Sequence, residues 1–139
     1  LIREPFIWSN SSTDKFRTTW EEPKFSVESK VTPMQEQLND KKSLLNHYKS
    51  FIKLRNNSSA LTYGELVPVE LSNPTISAFV RADNKESLLV IHNLSGENQV
   101  FSLPENIEVY TKTYFANKES EVSGGQVEIS GYGTLILQQ

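Results

Sequence analysis

Hydrophobic and polar positions change their spacing near residue 63, and this change divides the chain into a helical part and a strand-rich part. Before that point, apolar residues recur at the spacing of one helix face, which predicts an amphipathic helix; they are Leu44, Leu45, Tyr48, Phe51 and Ile52. Arg55 falls in the middle of this apolar stripe, so we expect its charge to pair with a carboxylate or with backbone carbonyls. The polar run 56–59 then ends the helix.

A shorter helix is predicted from about Pro33 to Asn39. Thr32, Pro33 and Gln35 form the pattern of a capping box with proline at the first helical position, and Asp40 can cap the helix that follows. Residues 1 to 31 show no sustained period and are typical of a long irregular loop. Loops of this length are usually functional or disordered, and the aromatic residues of this one argue against disorder.

From Tyr63 onward the alternation has period two, which predicts strands. Six strand-like runs are separated by turn residues: 65–71, 75–82, 87–93, 99–103, 108–115 and 126–138, of which 131–133 can split the last. Short strands without intervening helices favour an antiparallel sandwich over a βαβ fold. Because residues 88–91 are continuously apolar, we expect the third run to be central and covered on both faces.

Composition indicates a soluble globular domain and excludes several function classes. The 139 residues are too few for a complete TIM barrel, which needs about 250. Fourteen basic against 17 acidic side chains give a formal charge of −3, which disfavours a nucleic-acid partner, and no apolar run is long enough to span a membrane. The absence of cysteine removes disulfides and thiolate sites and leaves the compartment open.

Candidate catalytic chemistry is sparse. The two histidines, His47 and His92, are not at metal-ligand spacing, and we predict a structural or solvated role for His47 and a hydrogen-bonded place in the sandwich for His92. No cofactor motif and no metal site is expected. Glycoside hydrolysis needs two carboxyl groups, and the candidates in the loop are Glu4, Asp14, Glu21 and Glu22. Charge on a loop usually serves solvation, so no catalytic pair is predicted among them.

Several short segments of the sequence nevertheless resemble a known family. They are 2–8 (IREPFIW), 18–23 (TTWEEP), 44–55 (LLNHYKSFIKLR), 60–64 (ALTYG), 79–81 (FVR), 87–95 (SLLVIHNLS) and 131–137 (GYGTLIL). In this order they resemble the C-terminal part of the alpha-amylase family, the family 13 glycoside hydrolases. Within it, the chain is most similar to bacterial alpha-amylases close to oligo-1,6-glucosidases and neopullulanases, and the similarity covers essentially the whole chain.

This resemblance implies a mainly β chain: an antiparallel, Greek-key β-sandwich at 63–139, preceded at 1–62 by an irregular loop and helices from the end of a TIM barrel. The implied partners are the upstream catalytic barrel and, through the parent enzyme, an α-glucan substrate. The parent would cleave α-glucosidic bonds with retention, through a covalent glycosyl-enzyme intermediate. The family's catalytic carboxylates belong to earlier barrel strands and have no match here, so no catalytic residue is expected in this chain. A bacterial protein outside the cell or on its surface is favoured over a cytoplasmic one.

Arg3 and Trp8 match the R-x-P-x-x-W word that lies near the substrate cleft in related enzymes, and they are the candidate sugar contacts. A guanidinium offers several donors to hydroxyl groups and an indole can stack on a pyranose ring. Alternatively, Trp8 anchors the loop and Arg3 makes a structural ion pair. Glu4 stands where close relatives have a small hydroxyl residue.

Two other functions stay open at this stage. A free-standing carbohydrate-binding sandwich would need two or three exposed coplanar aromatic rings, for which the candidates are Tyr110, Tyr114, Phe115 and Tyr132. A purely structural interaction domain would use the apolar stripe of the amphipathic helix, which needs a cover.

Overall fold

The structure, a computed structural model, describes residues 3–10, 14–27 and 30–139. It divides into two compact units between Leu54 and Arg55. The described residues of the first unit include α1 (Met34–Asn39) and most of α2 (Leu44–Asn56). The boundary at 62/63 between a barrel part and the sandwich stays a prediction.

Helix α1 begins close to the predicted residue, but the predicted capping of its first turn is wrong. Pro33 is the N-cap and no side chain caps the helix, so the capping box of Thr32 and Gln35 is not formed. Instead, the backbone N–H groups of Met34 and Gln35 donate to the carbonyls of Ile7 and Trp8, at 3.1 and 2.9 Å. A tertiary contact with the N-terminal loop therefore satisfies the free donors at the first turn of the helix.

The start of α2 also differs from the prediction, because Ser43 and not Asp40 caps it. The Ser43 hydroxyl oxygen accepts the N–H of Asn46 at 3.2 Å, whereas the Asp40 carboxylate accepts the N–H of Lys42 at 2.8 Å, inside the preceding turn. The side-chain amide of Asn46 donates to the carbonyls of Gln37 and Asp40, both at 2.8 Å. These bonds fix α1 against α2.

A short third helix, α3 (Ser59–Tyr63), was not predicted. The run 56–59 does end α2, but the Ser58 hydroxyl oxygen then accepts the N–H of Leu61 at 3.0 Å and caps a new helix. The Glu86 carboxylate accepts the Ser58 hydroxyl at 2.6 Å and the N–H of Ala60 at 3.0 Å. Five residues are too few for periodicity to predict a helix.

The second unit is an antiparallel sandwich of eight strands, β1 to β8: Glu65–Val69, Ile76–Ala82, Ser87–Asn93, Gln99–Ser102, Lys112–Ala116, Ser120–Ser123, Gln126–Ile129 and Thr134–Gln138. One sheet has the order β1-β2-β3-β8-β5 and the other β4-β7-β6. This confirms the predicted fold class. The final predicted run splits into β7 and β8, as the sequence allowed.

Two strand predictions fail locally. Residues 108–111 are not strand, because a turn of 3-10 helix at Glu105–Ile107 continues into a hydrogen bond from the N–H of Tyr110 to the carbonyl of Ile107. Strand β6 was missed. It forms a hairpin with β7 through Gly124 and Gly125, whose φ angles of 55° and 76° suit the tight turn that glycine favours.

The core lies between the two sheets. Its largest fully buried side chains come from β3, β7 and β8: Leu89, Ile91, Val127, Ile129, Leu135 and Leu137. The predicted central strand is confirmed, since β3 is third of five and residues 88–91 are at most 4% exposed. The sandwich is thus stabilised by apolar burial without disulfides.

Candidate functional site: an aromatic groove

Both predicted site residues lie in one open groove of the first unit. The groove has a volume of about 410 Å³ and is lined by Arg3, Glu4, Phe6, Trp8, Phe16, Thr18 and Trp20. Four of these residues are aromatic and one is a cation. The structure therefore brings Arg3 and Trp8 together, and their role as sugar contacts stays a prediction.

The aromatic walls of the groove pack edge to face. The rings of Phe6 and Trp8 are 4.8 Å apart at 67°, and those of Trp8 and Phe16 are 6.3 Å apart at 65°. Trp8 remains 38% exposed and Trp20 56% exposed. Edge-to-face contacts stabilise the rings by about 0.5–1.5 kcal/mol per pair, and they leave aromatic surface open to a ligand.

Asp14 holds this part of the loop through its carboxylate. One oxygen, Oδ2, accepts the N–H groups of Trp8 and Ser9 at 3.2 and 3.1 Å, and the other, Oδ1, accepts the N–H of Phe16 at 3.0 Å. Desolvation acts to raise the pKa of Asp14, but the N–H donors and the nearby Arg17 outweigh it and lower that pKa below its usual range. The carboxylate is therefore ionised at neutral pH.

Glu4, like Asp14, forms a carboxylate clamp, by which we mean a carboxylate that accepts several backbone N–H groups and so joins two stretches of the loop. Its carboxylate accepts the N–H groups of Ser26, Phe25 and Lys24 at 2.7, 3.0 and 3.1 Å. These bonds, the one from Ser26 foremost, lower the pKa of Glu4 to about 2. They join the first residues of the loop to its last third.

These two carboxylates are poorly suited to acid catalysis. A glycosidase's general acid needs a raised pKa, and the pKa values of Glu4 and Asp14 are both lowered. Glu21 and Glu22 do not line the groove. Within residues 3–10, 14–27 and 30–139, no cluster of three or more His, Cys, Asp or Glu side chains could hold a metal ion.

A second open groove, of about 640 Å³, shares Trp8 and Phe16 with the first. Its other lining residues are Ser9, Asp14, Lys15, Met34, Gln35 and Leu38. The ring-bearing segments at Trp8 and Phe16 therefore form a wall common to both grooves, and Asp14 holds the backbone of both segments.

The histidines lie outside the grooves. His92 is half-buried, with its Nδ1 2.9 Å from the Thr134 hydroxyl oxygen, which fits the predicted hydrogen-bonded place in the sandwich. Desolvation lowers the pKa of His92, so the ring is neutral at physiological pH. The ring of His47 packs against Phe51 with centroids 4.6 Å apart.

The four aromatic residues proposed for a carbohydrate-binding sandwich do not form an exposed platform. Tyr110 is buried, with its hydroxyl 2.6 Å from that of Ser87. Tyr114 and Phe115 are partly buried and only Tyr132 is well exposed.

The sequence did not predict the aromatic cluster of the first unit. The signal available for it was the density of Phe and Trp between residues 6 and 20, in a segment without periodicity.

Across the described ranges, none of the helices is long and apolar enough to cross a membrane.

Residues 76–136 match the family model of the alpha-amylase SusG C-terminal domain. This segment runs from the start of β2 into β8.

The chain is similar over most of its length to glycosidases. It is 26% identical over 137 residues to alpha-amylase 3 of Dictyoglomus thermophilum, covering 99% of this chain and 27% of that protein. It is 32% identical over 128 residues to an oligo-1,6-glucosidase of Bacillus cereus, covering 91% of this chain and 22% of that protein. The chain thus spans about a quarter of the length of these relatives.

A solved structure shares the fold. A mutant of isomaltulose synthase from Erwinia rhapontici NX5, in complex with its natural substrate sucrose, superposes with a TM-score of 0.76 at 24% identity. The match covers 96% of this chain and 24% of that one. The family model identifies residues 76–136 as a C-terminal domain of the alpha-amylase SusG type, and the chain is similar over 91–99% of its length to glycosidases of the alpha-amylase family.

Proposed function

We propose that this chain serves an enzyme acting on α-glucosidic bonds of starch or maltooligosaccharides, and that its aromatic groove is part of the wall of the substrate cleft. Arg3 and Trp8 contact the sugar in this proposal. The observation that carries it is their convergence on one open groove with three further aromatic side chains.

The chemistry of the groove suits a neutral, hydroxyl-rich ligand. Sugar rings offer apolar C–H faces that aromatic rings can pack against, and hydroxyl groups that accept hydrogen bonds from a guanidinium. Trp8 supplies the first kind of surface and Arg3 the second. The backbone of Trp8 anchors the loop, while its ring remains 38% exposed, so anchoring and sugar contact are compatible.

The relatives support the substrate class. They are an alpha-amylase and an oligo-1,6-glucosidase. Both names point to α-linked glucosides. We extend that class to this chain's parent enzyme, with retaining hydrolysis as the reaction.

In this proposal the reacting carboxyl groups lie on a catalytic barrel outside the chain. Glu4 and Asp14 are held by backbone donors and have lowered pKa values, which is the opposite of what a general acid needs. The exposed stripe of α2 supports such a partner, because Leu44, Tyr48 and Ile52 are 67%, 60% and 57% exposed. An apolar stripe of this kind usually packs against another element, and the barrel is the proposed cover.

Steady-state kinetics of the enzyme carrying this chain tests the proposal. Trp8→Ala should raise KM for maltooligosaccharides by several-fold to about tenfold, since one aromatic contact contributes about 1 kcal/mol. Arg3→Ala should act in the same direction. Phe25→Ala is the matched control, because Phe25 is 71% exposed on the same loop and does not line the groove.

The proposal fails if Trp8→Ala and Arg3→Ala leave both KM and kcat at the level of the Phe25→Ala control. It also fails if the isolated chain releases reducing sugar from starch. Micromolar binding of maltooligosaccharides by the isolated chain would instead support a free-standing carbohydrate-binding module.

A further inference from the structure

We propose that Asp14 is a positioning residue for the groove: its carboxylate fixes the backbone at Trp8 and at Phe16, and thereby holds the aromatic wall in its ligand-binding arrangement. This inference rests on the proposed function, because it assigns Asp14 a role in sugar binding through Trp8.

The contacts of Asp14 join two separate stretches of the loop. Oδ2 binds the N–H groups of Trp8 and Ser9, and Oδ1 binds the N–H of Phe16. The two stretches carry the rings whose centroids lie 6.3 Å apart. One carboxylate therefore joins the two backbone stretches that carry these aromatic side chains.

The other side of Trp8 is also fixed. Its carbonyl accepts the N–H of Gln35 at 2.9 Å, at the start of α1. With its N–H on Asp14 and its carbonyl on α1, the peptide backbone of Trp8 is held from both sides. A ligand then does not have to order this backbone when it binds, and preorganisation of this kind increases affinity.

The charge of Asp14 matters as well as its shape. An ionised carboxylate accepts hydrogen bonds at both oxygens, whereas an asparagine amide accepts at one atom and donates at the other. Asparagine can keep either the Trp8 and Ser9 side or the Phe16 side, but not both. Asp14→Asn therefore tests the clamp with little change in volume.

The experiment is a double-mutant cycle in the enzyme that carries this chain, with maltooligosaccharides as substrate. Asp14→Ala should raise KM by a factor close to that of Trp8→Ala and change kcat less, and Asp14→Asn should fall between Asp14→Ala and the wild type. In the Trp8→Ala background, Asp14→Ala should add less than a twofold further rise in KM, since Asp14 acts through Trp8.

Asp40→Ala is the matched control. Asp40 also accepts a backbone N–H, that of Lys42, in a turn of the same unit, but it lines neither groove. Its KM should remain at the wild-type value. If Asp14→Ala does not fold, Asp14→Asn with Trp8→Ala completes the cycle.

The inference is overturned if Trp8→Ala raises KM while both Asp14 variants leave it unchanged, or if the effects of Trp8→Ala and Asp14→Ala multiply in full. A lower melting temperature with wild-type KM would show a structural role only and would also overturn it. If Trp8→Ala itself has no effect on KM, the proposed function fails, and this inference fails with it.

Discussion

Arg55 and Arg81 donate hydrogen bonds to the same backbone oxygen, the carbonyl of Leu61, at 2.6 and 3.2 Å. Arg55 also donates to the carbonyl of Thr62 at 3.3 Å, and Arg81 to that of Ala60 at 3.1 Å. The prediction that backbone carbonyls or a carboxylate would accept from Arg55 is confirmed. The two guanidinium groups together supply donors to the Leu61 and Thr62 carbonyls at the end of α3, and Arg81 shares the Ala60 carbonyl with the N–H of Gly64.

Because the two arginines share an acceptor, their removal should be coupled. Arg55→Ala or Arg81→Ala alone leaves the Leu61 carbonyl with one donor, and each should destabilise the protein by about 1 kcal/mol. The double variant leaves that carbonyl without either donor, so its free energy of unfolding should fall by at least about 0.5 kcal/mol more than the sum of the two single losses. Urea denaturation of the wild type, the two single variants and the double variant measures these free energies. Strict additivity would contradict the shared-acceptor geometry.

The clamp at Glu4 should make stability depend on pH. The pKa of Glu4 is lowered from 4.5 to about 2 in the folded protein, so its ionised form stabilises the fold at pH values above the unfolded pKa. That contribution is lost as the pH falls from about 4.5 towards 2. The melting temperature of Glu4→Gln should therefore lie below that of the wild type at neutral pH, and the difference should narrow in acid.

Glu22→Gln serves as the control for this measurement, because Glu22 is an exposed carboxylate on the same loop. Its melting temperature should follow that of the wild type across the pH range. If the difference in melting temperature between Glu4→Gln and wild type stayed constant down to about pH 2.5, this would contradict a role for the ionised carboxylate.

Two glycines should respond differently to substitution. A Cβ on Gly131 would overlap the carbonyl oxygen of Gly96, whereas one on Gly124 would meet nothing within 4 Å. Gly124→Ala should cost about 1 kcal/mol through its positive φ alone, and Gly131→Ala should cost more, up to about 3 kcal/mol, through backbone displacement. Thermal unfolding compares them, and equal losses would contradict the close approach at Gly131.

Burial in β3 gives a larger expected effect. Leu89 is fully buried in the core, and Leu89→Ala should lower the free energy of unfolding by about 2–5 kcal/mol. Leu94 lies just beyond the same strand but is 63% exposed, so Leu94→Ala should stay within about 0.5 kcal/mol of wild type. Chemical denaturation of the two variants measures this contrast. Losses of similar size in the free energy of unfolding would contradict the place of Leu89 in the core.

The sequence predicted those features that depend on periodicity within one segment. Alternation marked most of the sandwich strands, and the apolar run at 88–91 marked the central one. The stripe on α2 placed Arg55 near backbone acceptors. Each of these predictions uses neighbouring residues only, and apolar patterning is strong enough to determine them.

The features that were missed depend on contacts between distant residues. The start of α1 is satisfied by the carbonyls of Ile7 and Trp8 and not by the adjacent Thr32. In the groove, Arg3 and Trp8 came from the resemblance, but the clamps of Glu4 and Asp14 were not foreseen. Only the bond from Phe16 to Asp14 is local, of the Asx-turn type. The other donors lie 5 to 22 residues away in sequence and are set by the path of the loop.

A crystal structure of the enzyme carrying this chain, with a bound maltooligosaccharide, tests the central claim most directly. We expect a sugar ring within about 4 Å of the Trp8 indole and a sugar hydroxyl within about 3.2 Å of the Arg3 guanidinium, with the scissile bond flanked by carboxyl groups from outside residues 1–139. A sugar that reaches neither residue, or a scissile bond flanked by two carboxyl groups of this chain, would contradict the claim.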